Sequence, residues 1–558
     1  MRLSPVMQAP SEAAEGTLHR LLPLIAVLWG ITWIVLLNAH PLFHPDEGRY
    51  AEIPREMVET GQWTVPHLND LAYIEKPPLQ YWATAVSFLT FGESPWAARL
   101  YSGLCGLLTV LVTAVVAKRL WGPSSGWRAG CMAGSTLLLV LLAHHLTLDM
   151  SLTLYLAAMV GAFCLAQHLR AEAGQARFWM RVAWVCAGLA VMTKGLVALV
   201  LPGATLVVYS LLQRDRVVWR HLSIPSGLAL LLLVTVPWFV AIQRDLPQFF
   251  DFFFIREHFE RYLTRVSDRY EPPWYFIPIL VAGCLPWLLP AGRALVTGWR
   301  REAPRGEFDV RRFLWVWIVV TFCFFSASDS KLLPYILPVF PALAMLMASG
   351  DEASLRRDLR RTGIGLMVFG TGLLVLAVIA PYVTPHTERA LLFLTLRPHV
   401  GGMGLAALAG GIACWRLPGS SLSLTVATAV SGYVVFALIL VGSSQVAPLY
   451  SGVSLAEQLR SVPIGQAPFF SVRTYDQTLP FYLRRPLTLV DERNEMDFGL
   501  NLEPAKGLAS LEQFESRWRE LDQAFAIVEP QTYSELREHG LPMVVRAKGY
   551  KRLILSKR

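Results

Sequence analysis

Six short polar segments of this chain carry residue types that could do chemistry together, and each borders a long apolar run. HPDEGRYAEIPREM supplies His44, Asp46, Glu47, Arg49, Tyr50 and Glu52, and AYIEKPPLQYW supplies Tyr73, Glu75 and Lys76. Asp149 lies in HHLTLDMSLT, Lys194 in VMTKGL, and Arg256, His258, Arg261 and Arg265 in FFFIREHFERYLTR. SASDSKLLPYILP adds Asp329, Lys331 and Tyr335. Ionisable groups at membrane depth are costly, and so read as functional. Long basic side chains can stretch to the head-group layer; the short carboxylates of Asp46 and Asp149 cannot. The cations Lys76, Lys194, Arg261 and Lys331 suit a phosphate, which arginine clamps through two N–H groups and lysine holds as a point charge. Asp46 suits general-base work or stabilisation of an oxocarbenium-like sugar centre. No GxxxxGK[ST] phosphate loop occurs, so an activated sugar would arrive on a lipid carrier.

The elements that must position these groups follow from composition. The residues AVILMFWYC make up 54% of the 558, charged residues only 16%, and the mean hydropathy is +0.42. A soluble globule, a disordered chain and a fibrous protein are excluded. Runs long enough to cross a bilayer occupy 21–38, 100–117, 129–147, 151–169, 180–197, 199–213, 223–242, 274–291, 313–327, 333–349, 363–383, 402–415 and 420–442, which predicts thirteen spans. The run 79–92 is short and bears Trp and Tyr, and parity decides its role. If it does not cross, one side of the membrane gathers 20 Lys and Arg against 8 Asp and Glu. Its arginines include those of 293–312 and the RRDLRR at 356–361. The opposite loops are richer in acids than in bases, as the positive-inside rule requires. The run 79–92 therefore reads as a juxtamembrane or re-entrant helix. The loops 39–78 and 243–273 and the tail 443–558 then face away from the cytoplasm. The six polar segments meet on that face and describe a cavity opening outward. The N-terminus reads as an uncleaved first span.

The net charge of +9 and pI near 9.2 follow from this topology and indicate no nucleic-acid partner. All seven cysteines fall in apolar runs without metal or disulfide spacing. The tail alternates strand-like runs (PFFSVR, PLTLVDE, AFAIVEP, PMVVRA, KRLILS) with helical stretches (LEQFESRWREL, TYSELREHG), the pattern of a small α/β domain. Nothing in it points to chemistry, and it reads as a docking or lid domain. The domains expected are a membrane domain over 1–442 and this extracytoplasmic one over 443–558.

An Asp-Glu pair in the first outer loop, ten or more spans and such a tail resemble the GT-C glycosyltransferases, which use polyprenyl-phosphate sugars. Within that class HPDEGRYAEIPREM, EKPPLQYW, LTLDMSLT, MTKG and FSASDSKLLPYILPVFPA, spread over roughly 1–350, resemble the 4-amino-4-deoxy-L-arabinose lipid A transferases, relatives of the protein O-mannosyltransferases. The resemblance implies inverting transfer of aminoarabinose from undecaprenyl phosphate to a lipid A phosphate. The reaction would take place at the periplasmic face of a bacterial inner membrane and confer resistance to polymyxin and cationic peptides. It implies Asp46 and Asp149 as the essential carboxylates. Lys76 and Arg261 would clamp the carrier phosphate, with Tyr50, Tyr73, Glu75, Glu47, Lys194, Lys331 and Tyr335 at the substrate. Glu75 with His258 would hold a divalent cation, zinc or magnesium, if one is used. Two other readings stand beside it. A protein O-mannosyltransferase would need a true base for its hydroxyl acceptor. A lipid flippase would place its ionisable groups near the midplane and show inverted repeats, and neither feature is visible here.

Overall fold

The structure is a computed structural model that describes residues 9–253, 271–304, 306–383, 388–417 and 419–557. Its contacts divide the chain into two compact units. The first comprises Met1–Leu37, Ser102–Ala241 and Phe250–Gly442; the second comprises Asn38–Tyr101, Ile242–Phe249 and Ser443–Arg558.

The first unit is helical. Each predicted apolar run falls on one helix or on a bent pair, but thirteen crossings are not confirmed. Among the described residues, six helices are long and apolar enough to span, and eight if each bent pair is one span. The bent pairs are Pro123–Gly134 with Leu137–Ala143, at 64°, and Phe276–Gly283 with Leu288–Thr297, at 119°. Val197–Gln213 is a shorter apolar helix, as are Arg20–Leu36 and Leu333–Ala348. Hydropathy records neither bends nor where the backbone stops being helical. On the helix Ala9–Leu36, Leu21, Leu24, Val27, Leu28, Ile31 and Val35 are all exposed. Their spacing of three and four residues makes one apolar face, which water would penalise and lipid requires. Its opposite side packs inward: Trp33 is fully buried, its indole N–H donating to the Gly103 carbonyl at 3.0 Å, while His144 Nε2 meets the Trp33 carbonyl at 3.0 Å. At the arginine-rich helix ends, Arg128 pairs with Glu352 (2.9 Å) and Arg170 with Asp215 (2.7 Å).

The second unit gathers the first polar loop with the tail. Its first polar loop carries a small antiparallel pair, β1 (His67–Leu68) with β2 (Leu71–Ala72), and its larger sheet has the order β5-β4-β3-β6-β8-β7, formed by Gly507–Leu508 (β5), Thr488–Val490 (β4), Phe469–Val472 (β3), Phe525–Val528 (β6), Leu553–Ser556 (β8) and Val544–Lys548 (β7). The pairs β3–β4, β3–β6 and β4–β5 are parallel; β6–β8 and β7–β8 are antiparallel. Phe470, Val472, Ala526 and Val528 pack on one face with Phe514 and Trp518, and Phe469, Phe525 and Ile527 on the other with Leu455 and Leu479. This alternation buries both faces, as a sheet with helices on each side demands. The five strand-like runs of the tail are β3, β4, β6, β7 and β8. The two-residue β5 has no periodicity to betray it. The run 79–92 is the helix Leu79–Phe91, whose 13 residues extend about 20 Å and fall short of a bilayer core.

The helix Asp46–Thr60 is the part of this unit that carries chemistry. It ends at Gly61, whose positive φ of 73° closes it with an N–H to the Met57 carbonyl at 3.0 Å. It lies so close to the tail that a Cβ on Gly48 would stand 2.5 Å from the Gln477 carbonyl carbon and oxygen. Backbone cannot yield as a side chain can. Gly48→Ala is therefore expected to destabilise the protein by about 1–3 kcal/mol, read as a lower melting temperature in detergent, whereas an alanine at Gly61 costs only the left-handed turn.

Candidate active site

In the second unit the helix Asp46–Thr60 sets Asp46 in its first turn, where the helix N-terminus favours a carboxylate. Asp46 is one-third exposed, with its carboxylate 3.9 Å from Arg49 Nη2. One turn on, Arg49 is almost fully buried and has three sets of neighbours. Its Nη2 pairs with Glu495 at 2.6 Å, its Nη1 donates to the Tyr73 hydroxyl at 3.2 Å, and its guanidinium lies 5.7 and 5.9 Å from the centres of the Tyr50 and Tyr73 rings. Its Nε is buried with no hydrogen-bond partner among the described residues. Gln477 Nε2 donates to the other oxygen of Glu495 at 2.8 Å. Burial opposes the Arg49 charge, but the oxygens of Tyr73, Glu495, Tyr50 and Asp46 outweigh it and hold the guanidinium firmly protonated. Burial pushes the Tyr50 and Tyr73 phenols well up and raises Glu495.

Lys76 Nζ donates to the Glu75 carbonyl at 2.9 Å and stands 3.9 Å from the Glu75 carboxylate, both side chains about four-fifths buried. Glu47, expected at the substrate, is instead wholly buried against Arg99, with contacts of 2.6 and 2.8 Å, and accepts the Phe43 N–H at 2.9 Å. Its lone pairs are spent inside the protein, so it shapes the loop.

The first unit brings together Asp149, Lys194 and Tyr335. Thr147 caps the helix Leu148–His168, accepting the Asp149 N–H at 3.3 Å and donating to its carboxylate at 3.2 Å. Lys194 ends the helix Ala173–Lys194, pairs with Asp149, and lies 4.1 Å from the centre of the Tyr335 ring. An acid at a helix start and a base at a helix end each complement the local dipole. Lys331 departs from expectation: nearly fully buried, it donates to the Ser328 carbonyl at 2.5 Å and the Glu271 carbonyl at 2.7 Å, and so ties two backbone segments together. Arg256, His258, Arg261 and Arg265 lie outside the described residues. Among those described, no three His, Cys, Asp or Glu side chains gather to hold a metal.

Sequence reasoning missed Glu495 and Gln477. Both come from the tail, which had shown no chemistry, and only the fold reveals that Glu495 reaches Arg49 and Gln477 holds Glu495. It missed, too, how the first loop is held. Arg55 makes two bonds to Glu52 (2.6 and 2.7 Å), and Glu56 accepts the backbone N–H groups of Asn69 (2.6 Å) and Asp70 (3.0 Å). Asn69 in turn exchanges two hydrogen bonds with the Leu487 backbone, at 2.6 and 2.7 Å. Burial, then the Glu52 charge, pushes Glu56 up to about 8.

The family described as "Aminoarabinose transferase C-terminal domain" matches residues 455–557, and "Dolichyl-phosphate-mannose-protein mannosyltransferase" matches 75–240. The chain is 32% identical over 522 residues to the undecaprenyl phosphate-alpha-4-amino-4-deoxy-L-arabinose arabinosyl transferase of Erwinia tasmaniensis, covering 89% of this chain and 90% of that one. To the protein of the same description from Pectobacterium atrosepticum it is 32% identical over 504 residues, 86% of each. The crystal structure of ArnT from Cupriavidus metallidurans bound to undecaprenyl phosphate superposes with a TM-score of 0.88 at 32% identity, covering 97% of this chain and 98% of that one.

Because Glu56 keeps a proton in the fold that the unfolded chain, with its ordinary value of 4.5, gives up, stability falls as pH rises from about 4.5 to 8 and levels above. Glu56→Gln removes this titration. Its melting temperature, measured against pH, should show a flatter decline than the wild type across that window; parallel curves would contradict the assignment.

Proposed function

The chain belongs to the undecaprenyl phosphate-α-4-amino-4-deoxy-L-arabinose arabinosyl transferases, and from that premise we propose that it moves aminoarabinose from undecaprenyl phosphate to a phosphate of lipid A. It is a multi-pass membrane glycosyltransferase with a polyprenyl-phosphate sugar donor. The proposed setting is the bacterial inner membrane, with the arginine-rich helix ends in the cytoplasm and the chemistry on the periplasmic face. The observation that carries the reading is Asp46, a part-exposed carboxylate beside an arginine that Glu495 has already neutralised.

In the proposed reaction a lipid A phosphate oxygen attacks the anomeric carbon from the face opposite the leaving group. The bond to the undecaprenyl phosphate oxygen breaks with its electron pair, and the anomeric centre inverts. A phosphate monoester has a second pKa of about 6 and is largely ionised at neutral pH, so this acceptor needs no general base. Asp46 instead orients the donor and stabilises positive charge at the anomeric carbon or the amino group. Glu495 occupies Arg49 Nη2, which would otherwise close on Asp46 and quench it. Lys76 holds the departing phosphate, joined by Arg261, and Tyr50 frames the sugar, while Tyr73 holds Arg49. For Asp149 and Lys194, paired beside Tyr335 in the first unit, a role toward substrate is proposed on its own account. A zinc or magnesium ion between Glu75 and His258 would compete with the Lys76 ammonium for the Glu75 carboxylate, and no step here depends on it. Transfer to a protein hydroxyl, the activity in the description matched by 75–240, would make Asp46 a base; the match of 455–557 to an aminoarabinose transferase domain favours the lipid acceptor.

Two substitutions separate the roles. Expressed in cells lacking their own transferase, the wild type should add one aminopentose to lipid A, seen by mass spectrometry. Asp46→Asn should cut transfer about 10²-fold or more while undecaprenyl phosphate still binds, whereas Lys76→Ala should weaken that binding. Near-full transfer by Asp46→Asn would remove the charge role, and an unmodified lipid A in the wild type would remove the acceptor.

A further inference from the structure

The first unit holds a polar cavity of about 290 Å³, lined from the helix Leu288–Thr297 and the segment after it, and from the start of the helix Glu352–Val383. Its lining includes apolar Ala294, Leu346 and Met347 and the cations Arg293, Arg300 and Arg311. An arginine has five N–H donors, and these three have donors to spare. Arg293 gives Nε and Nη2 to Asp358, which leaves Nη1. Arg311 gives Nη1 to Glu302, and its Nε is buried with no partner among the described residues. Arg300 is exposed and has no side-chain partner among them. The acids that line the cavity are engaged already, Asp358 and Glu302 by these arginines and Asp351 by the Ser354 N–H at 2.9 Å. A buried, orphaned donor costs about 1–3 kcal/mol until an acceptor reaches it.

The surroundings define that acceptor. Leu288, Leu289 and Val296 on the same helix are exposed, and exposed Trp299 follows at its end. An apolar face ended by tryptophan marks the boundary between acyl chains and head groups, and basic pockets between membrane helices at that level suit lipid phosphates. Arg301 and the four arginines of RRDLRR add positive charge nearby in sequence. A soluble anion would satisfy the arginines but leave the apolar face unused. We propose that this cavity binds the phosphodiester head group of an anionic phospholipid, its acyl chains lying along Val296 and Trp299. The site is separate from the residues assigned to transfer.

Native mass spectrometry of the full-length protein, with phosphatidylglycerol and phosphatidylcholine offered in equal amounts, tests this. Phosphatidylglycerol should be retained about fivefold over phosphatidylcholine, and Arg300→Ala should remove that preference while Arg300→Lys keeps most of it. Arg300 is exposed and unpaired, so both variants should fold, with unchanged melting temperatures as the check. Equal retention of the two lipids by the wild type, or full preference in Arg300→Ala, overturns the proposal. So does inorganic phosphate that stabilises the protein in an Arg300-dependent way without any phosphatidylglycerol preference, since the site would then take a soluble anion.

Discussion

A buried guanidinium must be neutralised, and in this protein that constraint organises the polar chemistry of the second unit. Arg49 is shielded from water, so an unpaired charge there would cost several kcal/mol. Glu495 supplies the counter-charge at 2.6 Å, and the Tyr73 hydroxyl and the Tyr50 and Tyr73 rings enclose the rest. Since Glu495 belongs to the tail and Arg49 to the first loop, this one pair makes the arrangement of the loop depend on the tail. Removing either partner would strand the other. The close approach at Gly48, the Asn69–Leu487 exchange and the Glu56 cradle support the same contact by independent means. The tail thus helps to hold the loop that carries Asp46.

The first unit solves a related problem differently. Asp149 and Lys194 carry charge within an apolar helical body, and each sits where a helix end favours it. Thr147 hydrogen-bonds Asp149 and the Tyr335 ring lies against Lys194, so each member of the pair has a second partner inside the protein. Lys331, with a similar sequence setting, is used for backbone carbonyls instead. Charges in low dielectric can orient a ligand or brace the chain, and neighbours decide which.

Much of this was legible in the sequence, for reasons that differ by element. The strands of the tail announced themselves through alternation, and Phe469 and Phe470 indeed face opposite ways in β3. Asp46, Asp149, Lys76 and Lys194 stood out because polar groups beside apolar runs have few structural uses. Glu495 did not, because ERNEMDF is an ordinary polar stretch and its partner is distant in the chain. Glu47 misled for the opposite reason: it adjoins Asp46, yet successive helical residues point about 100° apart, and it turns inward to Arg99. Two of the thirteen apolar runs bend, near Ser135 and near Pro286, which the sequence does not show because apolar composition persists through a break in the helix.

In the proposed mechanism Glu495 acts on transfer through Arg49, by leaving Asp46 free of the guanidinium. A double-mutant cycle with Glu495→Gln and Arg49→Gln, read as the transfer rate of purified enzyme with undecaprenyl-phosphate binding measured alongside, tests it most directly. Glu495→Gln should lower the rate about tenfold or more without weakening carrier binding, and should have little further effect once Arg49 is Gln. Additive losses, or an undiminished rate in Glu495→Gln, would contradict it.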